Sequence, residues 1–390
     1  MQKAILQVTK NMKSNIAKSL EKDAALAVKE IKKQLDTVND IQCIILFASH
    51  SYDANALATT MNEEFPNIEW FGTTSYNEVV ENMIVSNSLV AFAITSDLVE
   101  DFRIEMVENL KTNTDVEYVI KNFEEHFNTP LGDLQIDKYF GFALMDFQSK
   151  AEEKLFDKLG DYTNVAFLGG TASDNWKFVN TGIYAKGKYH NDAAVIGLFK
   201  SKVKFGFEKI ETVVKVAEPL TVTKSDIRNK KLYEIDGRPA AEVYCEINGL
   251  DYEKTSKLSP PQRIWSNHPL GISIDGEIFL RDVYYIDTTD KSLVMVCNIP
   301  EGLPVHFYKV ANITESTRTQ LENIRKKYNN IGYMITLVCA NVYEDVMQGT
   351  NVEEYASLYA GISCVGFCTF GEYYTVPVNH TTTLLILEQP

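Results

Sequence analysis

Ile362-Ser363-Cys364-Val365-Gly366-Phe367-Cys368-Thr369-Phe370-Gly371-Glu372 decides how this chain is read. Strand-type residues run into a glycine, and a carboxylate follows six positions later. The pattern occurs twice more upstream. Ile68-Glu69-Trp70-Phe71-Gly72 leads to Glu78, and Val165-Ala166-Phe167-Leu168-Gly169 leads to Asn175 at the same offset. Glycine after a buried strand permits positive φ or lets a ligand approach the backbone. A polar side chain six residues on then sits over the strand end.

The likeness extends to both sides of each glycine. Upstream stands an apolar strand ending in polar residues and leading into a helix: 44–48 before Ser49-His50-Ser51, 139–145 before Asp146, and 334–339 before Asn341. Downstream an asparagine, Asn87, Asn191 or Asn379, precedes a closing strand. The unit reads as strand, helix, strand, glycine turn, strand, over residues 44–95, 139–199 and 334–388. The fold class is therefore α/β, with mixed sheets flanked by helices and three such units in two domains.

At 390 residues the chain exceeds one small core. Its division reads as a helical lead-in over 1–38, a domain over 39–224 and a second over 225–390, with the boundary in the polar stretch 223–231. A helix is expected over 19–35, with Leu20, Ala24, Val28, Ile31 and Leu35 on one stripe. Thr114-Asp115-Val116-Glu117 reads as a capping box. Asp275-Gly276 marks a hairpin. Residues 251–267, with Pro260-Pro261, form a polar connection.

The net charge of −15, without a basic block, argues against nucleic acid or an anionic membrane as partner. With no run of eighteen apolar residues and no signal-type start, the expectation is a cytoplasmic protein. Six scattered cysteines give no zinc spacing. No G-x-S-x-G, H-E-x-x-H, Walker or G-x-G-x-x-G motif is present, and nothing pairs Ser49, His50, Asp146 or Cys364 as nucleophile and base. Binding rather than turnover is expected.

With these residues in view the chain resembles the FIST-domain family, in both its N-terminal and C-terminal regions. The first likeness rests on Leu46-Phe47-Ala48-Ser49, Trp70-Phe71-Gly72-Thr73-Thr74 and Phe167-Leu168-Gly169-Gly170. The second rests on Ile235-Asp236-Gly237-Arg238-Pro239-Ala240, His268-Pro269-Leu270-Gly271-Ile272, Leu280-Arg281-Asp282, Ile299-Pro300-Glu301-Gly302, Phe370-Gly371-Glu372 and Asn379-His380-Thr381. The resemblance implies a small-ligand-binding sensory module of microbial signal transduction, its ligand an amino acid or related metabolite. With no output domain in these residues, it implies signalling to a separate protein such as a histidine kinase or chemotaxis receptor. An alternative within the family is a haem-binding nitric oxide sensor.

The candidate ligand residues follow from the units and the resemblance together. They are Gly72, Thr73 and Glu78; Gly169, Gly170, Thr171 and Asn175; and Arg281, Gly366, Gly371, Glu372, Asn379 and His380. Gly169-Gly170-Thr171 has the composition of an anion nest. Arg281 suits a ligand carboxylate, because guanidinium binds one bidentately, and Glu372 suits an ammonium. No cofactor is expected; for the haem alternative, His50, His190 and His380 are the candidate axial ligands, and C-x-x-C-H is missing.

Overall fold

The computed structural model describes residues 15–258, 267–349 and 351–390. Residues 259–266 of the connection expected over 251–267, with Pro260-Pro261, lie outside them. The three apolar runs form core strands, Ile41–Ser49, Tyr139–Met145 and Ile331–Cys339. They are buried on both faces along most of their length, which is why the sequence runs apolar rather than alternating. Each pairs in parallel with a glycine-bearing strand, Glu69–Ser75, Phe167–Thr171 or Ser363–Thr369. On its other side each pairs antiparallel with a closing strand, Leu89–Thr95, Ala193–Ser201 or Thr381–Glu388. An outer strand completes that side: Ile16–Ser19, Val99–Glu108 or Phe205–Glu211. The fold is thus mixed α/β, and one order of pairings recurs in three six-stranded sheets.

The glycines do a different job from the one expected. Gly72, Gly169 and Gly366 lie inside strands, opposite Leu46, Ala143 and Thr336, and none has positive φ. A Cβ there would stand 2.2 Å from the Leu46 carbonyl oxygen, 2.3 Å from that of Ala143 and 1.7 Å from that of Thr336. The glycine makes room for the neighbouring strand's carbonyl, not for a turn or a ligand. The anion nest is likewise absent. Gly169-Gly170-Thr171 is extended strand, and the Thr171 N–H donates to the Gly371 carbonyl at 2.9 Å.

Beyond its glycine strand each unit sends a hairpin into another unit's sheet. Glu78–Val80 pairs with Ser363–Thr369, Ile183–Ala185 with Glu69–Ser75, and Glu372–Tyr374 with Phe167–Thr171. The exchange is cyclic: first unit into third, second into first, third into second. The inner faces of all three sheets join one apolar cluster, where Phe47 stacks on Phe367 at 5.0 Å and Phe71 meets Phe142 at 6.3 Å. Helices cover the outer faces.

Two local expectations are corrected. The first helix spans Ala24–Leu35, with Asp23 accepting the Leu26 N–H at 2.9 Å; Ser19 ends an outer strand, and Leu20 is 61% exposed. A four-residue strand is too short to show a period. The capping box does not form either. The Glu117–Phe127 helix has no side-chain cap at Val116, and Asp115 accepts the Glu117 N–H instead.

Between the outer strand Phe205–Glu211 and the helix Ile313–Lys327, the chain inserts a fourth sheet of eight strands with its own core around Leu232, Tyr244, Leu280 and Phe307. The stretch 223–231 is the turn end of a hairpin in it, Val213–Asp226 with Lys231–Ile235. It is polar because a hairpin tip is solvated. The expected hairpin at Asp275-Gly276 forms, with φ of 50° and 85°. Among the described residues no helix is long and apolar enough to cross a membrane.

Candidate functional site

The second unit, the third unit and the inserted sheet meet around a cavity of about 450 Å³. One wall is a loop that the second unit alone possesses. Glu78 lies opposite Phe367, Glu372 opposite Gly170 and Ile183 opposite Thr73, each one residue past the partner strand's glycine. The structural counterpart of the two glutamates is therefore Ile183, not Asn175, which is exposed. The second unit takes fourteen positions from Gly169 to that point where its sisters take six, so eight residues are extra.

Those residues fold around Asp174. Its buried carboxylate accepts the backbone N–H groups of Lys177 and Phe178 at 3.0 Å each, Val179 at 2.8 Å and Asn180 at 3.1 Å. Charge-assisted bonds of this kind are the strong ones, and they offset the strain of positive φ at Trp176 and Phe178. Both rings line the cavity with Phe147 and Phe370. Trp176 and Phe370 lie 4.9 Å apart, Phe147 and Phe370 5.0 Å, and Phe147 and Phe178 5.4 Å. The Trp176 indole N–H donates to Glu344 at 2.9 Å.

The floor is charged. Asp282 accepts from the Asn341 carboxamide at 2.6 Å, and its backbone N–H donates to Asn379 Oδ1 at 3.2 Å; all three residues line the cavity. Beneath them His380 is wholly buried, with Nδ1 3.5 Å from Asp282 Oδ1 and Nε2 3.2 Å from Asp345 Oδ2. These are charge contacts rather than aligned hydrogen bonds. Burial alone lowers the His380 pKa, but Asp282 and Asp345 outweigh it and raise it to about 10, so the ring is an imidazolium. His380 has φ of 52°, as do Asn87 and Asp192, and these three hold the same register before their closing strands. The aligned asparagines at 87, 191 and 379 are thus one position out of step.

Exposed Lys150 and Arg228 stand at the rim. Lys230 is already paired, with Glu152 at 2.7 Å and Glu153 at 3.2 Å, which ties the inserted sheet to the second unit. The cavity thus has an aromatic wall, an anionic floor and a cationic rim.

The other candidates fall elsewhere. Arg281 is 3% exposed and donates to the carbonyls of Asn298, Leu280 and Pro377 at 3.2, 3.1 and 2.6 Å. It clamps the inserted sheet to the third unit's hairpin and does not line the cavity. Gly72, Thr73, Glu78, Gly169 and Gly366 are buried in strand pairings away from it. Glu78 is bonded by the hydroxyls of Ser75 and Ser88; burial lifts its pKa to about 8, and those two bonds hold it back only in part. Gly170, Thr171, Gly371, Glu372 and Asn379 line a second cavity of about 20 Å³, which shares Phe147, Glu152, Val296, Phe370 and Asn379 with the first. The sequence reading missed Trp176, Phe178, Asp282 and Asn341. The usable signal was the second unit's surplus of residues, with a Trp and a Phe inside a polar loop.

The three candidate axial histidines lie off the cavity. No described histidine lines the cavity. Both ring nitrogens of His380 face carboxylates, and His190 lies against the Ala185 carbonyl and Glu108. His50 sits at the end of the first core strand, also off the cavity.

The FIST N domain matches residues 42–238, and the FIST C domain matches residues 240–375. The chain belongs to the FIST family. FIST domains are associated with sensory signal transduction. The two FIST regions join at Pro239, inside the inserted sheet, so the cavity draws its aromatic loop from the N domain and its acidic floor mostly from the C domain. The chain is also 25% identical, over 302 residues, to an uncharacterized protein of Methanocaldococcus jannaschii. The match covers 67% of this chain and 56% of that relative, so the chain spans little over half of the relative's length.

Proposed function

We propose that this FIST protein is a small-ligand sensor of microbial signal transduction, which holds an amino acid or related metabolite in the larger cavity and signals to a separate protein such as a histidine kinase or chemotaxis receptor. What supports the reading is one observation: the cavity joins an aromatic wall, an inward carboxylate at Asp282 and outward cations at Lys150 and Arg228. Pockets of a few hundred cubic ångströms, mostly apolar with a few placed polar groups, are the usual small-molecule sites. The ligand ammonium meets Asp282 and the Asn341 and Asn379 carboxamides, its carboxylate faces the rim, and its side chain lies on Trp176 and Phe178. Because the walls belong to three parts of the fold, an occupant changes how the inserted sheet sits on the other two, which is what a partner protein reads.

The test is thermal stability of the purified chain against the L-amino acids and their amines. A ligand stabilises by mass action, and Trp176→Ala weakens binding about tenfold or more, since a buried aromatic anchor is where binding energy concentrates. No shift across the panel ends the reading. A Soret band lost with one histidine substitution puts the haem sensor in its place, and sustained turnover of a panel member makes the protein an enzyme.

A further inference from the structure

The second cavity holds an unusual arrangement. Glu372 is 2% exposed and Thr171 is 4% exposed, and neither the Glu372 oxygens nor the Thr171 hydroxyl has an N–H or O–H partner, the Cys339 thiol alone bearing on the carboxyl. Buried polar groups are normally satisfied, and the matching glutamate shows how this one would be. Glu78 is bonded by Ser75 and Ser88. The residues in the corresponding register beside Glu372 are Thr369 and Thr381. Their hydroxyls turn away: Thr369 donates to the carbonyls of Thr171 and Gly371 at 2.7 and 2.9 Å, and Thr381 to that of Asn379 at 2.7 Å. Two sets of hydroxyls thus stand at like positions, one closing its carboxylate and one leaving it open beside a cavity.

We infer that this small cavity seats a primary ammonium at the far end of the ligand, so that the sensor selects basic over neutral amino acids. The inference rests on the reading of the larger cavity as an amino-acid site. The volume of about 20 Å³ admits a group the size of one water. An ammonium carries three N–H donors and no acceptor, matching two carboxylate oxygens and one hydroxyl. Phe147, Phe370 and Asn379 line both cavities, so a side chain laid on the aromatic wall ends beside Glu372.

The surrounding charges agree. The titratable groups around Glu372 are Asp282, His380 and the Cys339 and Cys368 thiols, with Glu152, Cys297 and Tyr373 also lining the cavity. The nearby cations are already engaged, His380 with Asp282 and Asp345, and Lys230 with Glu152 and Glu153. Without an ammonium, burial and then Asp282 hold the Glu372 carboxyl well above the usual range, with Cys339 and His380 countering only in part. An arriving ammonium ionises it, and one proton leaves to solvent. Binding of the basic ligand therefore tightens as pH rises toward neutrality.

Calorimetric titration of the full chain with L-lysine and L-norleucine, which differ only in the terminal amine, tests this. Lysine is expected to bind at least about tenfold more tightly, the worth of one charge-assisted contact, and to release a proton seen as a buffer-dependent heat. Glu372→Gln brings the lysine-to-norleucine ratio toward one, and Thr171→Val lowers it by a smaller step. Norleucine binding as tightly as lysine to the wild-type chain overturns the inference and leaves the amino-acid site standing. Binding of neither overturns both.

Discussion

Glu78 and Glu372 occupy like places and meet opposite fates. Each opens a hairpin that crosses into another unit's sheet, one register past a glycine that a neighbouring carbonyl presses upon. Around Glu78 two serine hydroxyls close the site; around Glu372 two threonine hydroxyls serve the backbone, and a cavity lies alongside. The backbone slot is common to both, and the direction of two hydroxyls separates a packed core from a binding site. An unsatisfied buried carboxyl costs stability, by about 1–3 kcal/mol or more, which is tolerable where a ligand supplies the missing partner.

The largest expected effect comes from breaking the slot itself. Gly366→Ala puts a Cβ 1.7 Å from the Thr336 carbonyl oxygen, in the strand that receives Glu78. Backbone cannot yield as a flexible side chain does, so the loss should exceed about 4 kcal/mol, the range of exceptional substitutions, and little soluble protein should be recovered. Gly237→Ala is the control. It has open space but a φ of 71°, so it should cost only about 1 kcal/mol by urea denaturation. Equal losses would show that the close approach is not what demands glycine.

A middle-sized effect separates the two carboxyls by pH. A carboxyl raised in the folded state gives stability that is present below its unfolded pKa, near 4.3, and is lost as pH climbs to the folded value. For Glu78 that window closes at about 8. The wild-type urea midpoint should therefore fall from pH 5 to pH 8, and Glu78→Gln should remove part of the slope. The slope remaining above pH 6.5 belongs to His380, whose stabilisation is full below its unfolded value and lost on approach to about 10, and to Glu372, whose carboxyl burial also raises. An unchanged slope in the variant would mean that Glu78 titrates normally, its serine bonds cancelling the effect of burial.

The smallest effect is expected at Asn175. It shares the six-residue offset of the two glutamates in sequence but is exposed in the structure. Asn175→Ala should change stability by no more than about 0.5 kcal/mol and leave ligand-induced thermal shifts unaltered. A marked loss of either would restore it as a counterpart of Glu78 and Glu372.

The sequence by itself determined the core strands, since residues buried on both faces must be apolar throughout and the three runs at 44–48, 139–145 and 334–339 are. It also marked the positions of Gly72, Gly169 and Gly366, and singled out Glu372 and Asn379, which line one cavity or the other. It gave the right glycines for the wrong reason, because φ and a neighbouring strand's approach leave the same letter. What only the tertiary structure decided was which partners these residues meet. Arg281 had the chemistry of a carboxylate binder, but its guanidinium is engaged by three backbone carbonyls, two of them from segments distant in sequence. Asp282, one residue on, stands at the break between the strands Glu277–Arg281 and Val283–Asp287 and lines the cavity instead. The hairpin exchange, the inserted sheet and the Asp174 loop bring Trp176, Asp282 and Asn341 together from three places in the chain. Periodicity records how a residue is buried, and only long-range pairing records what it is buried against.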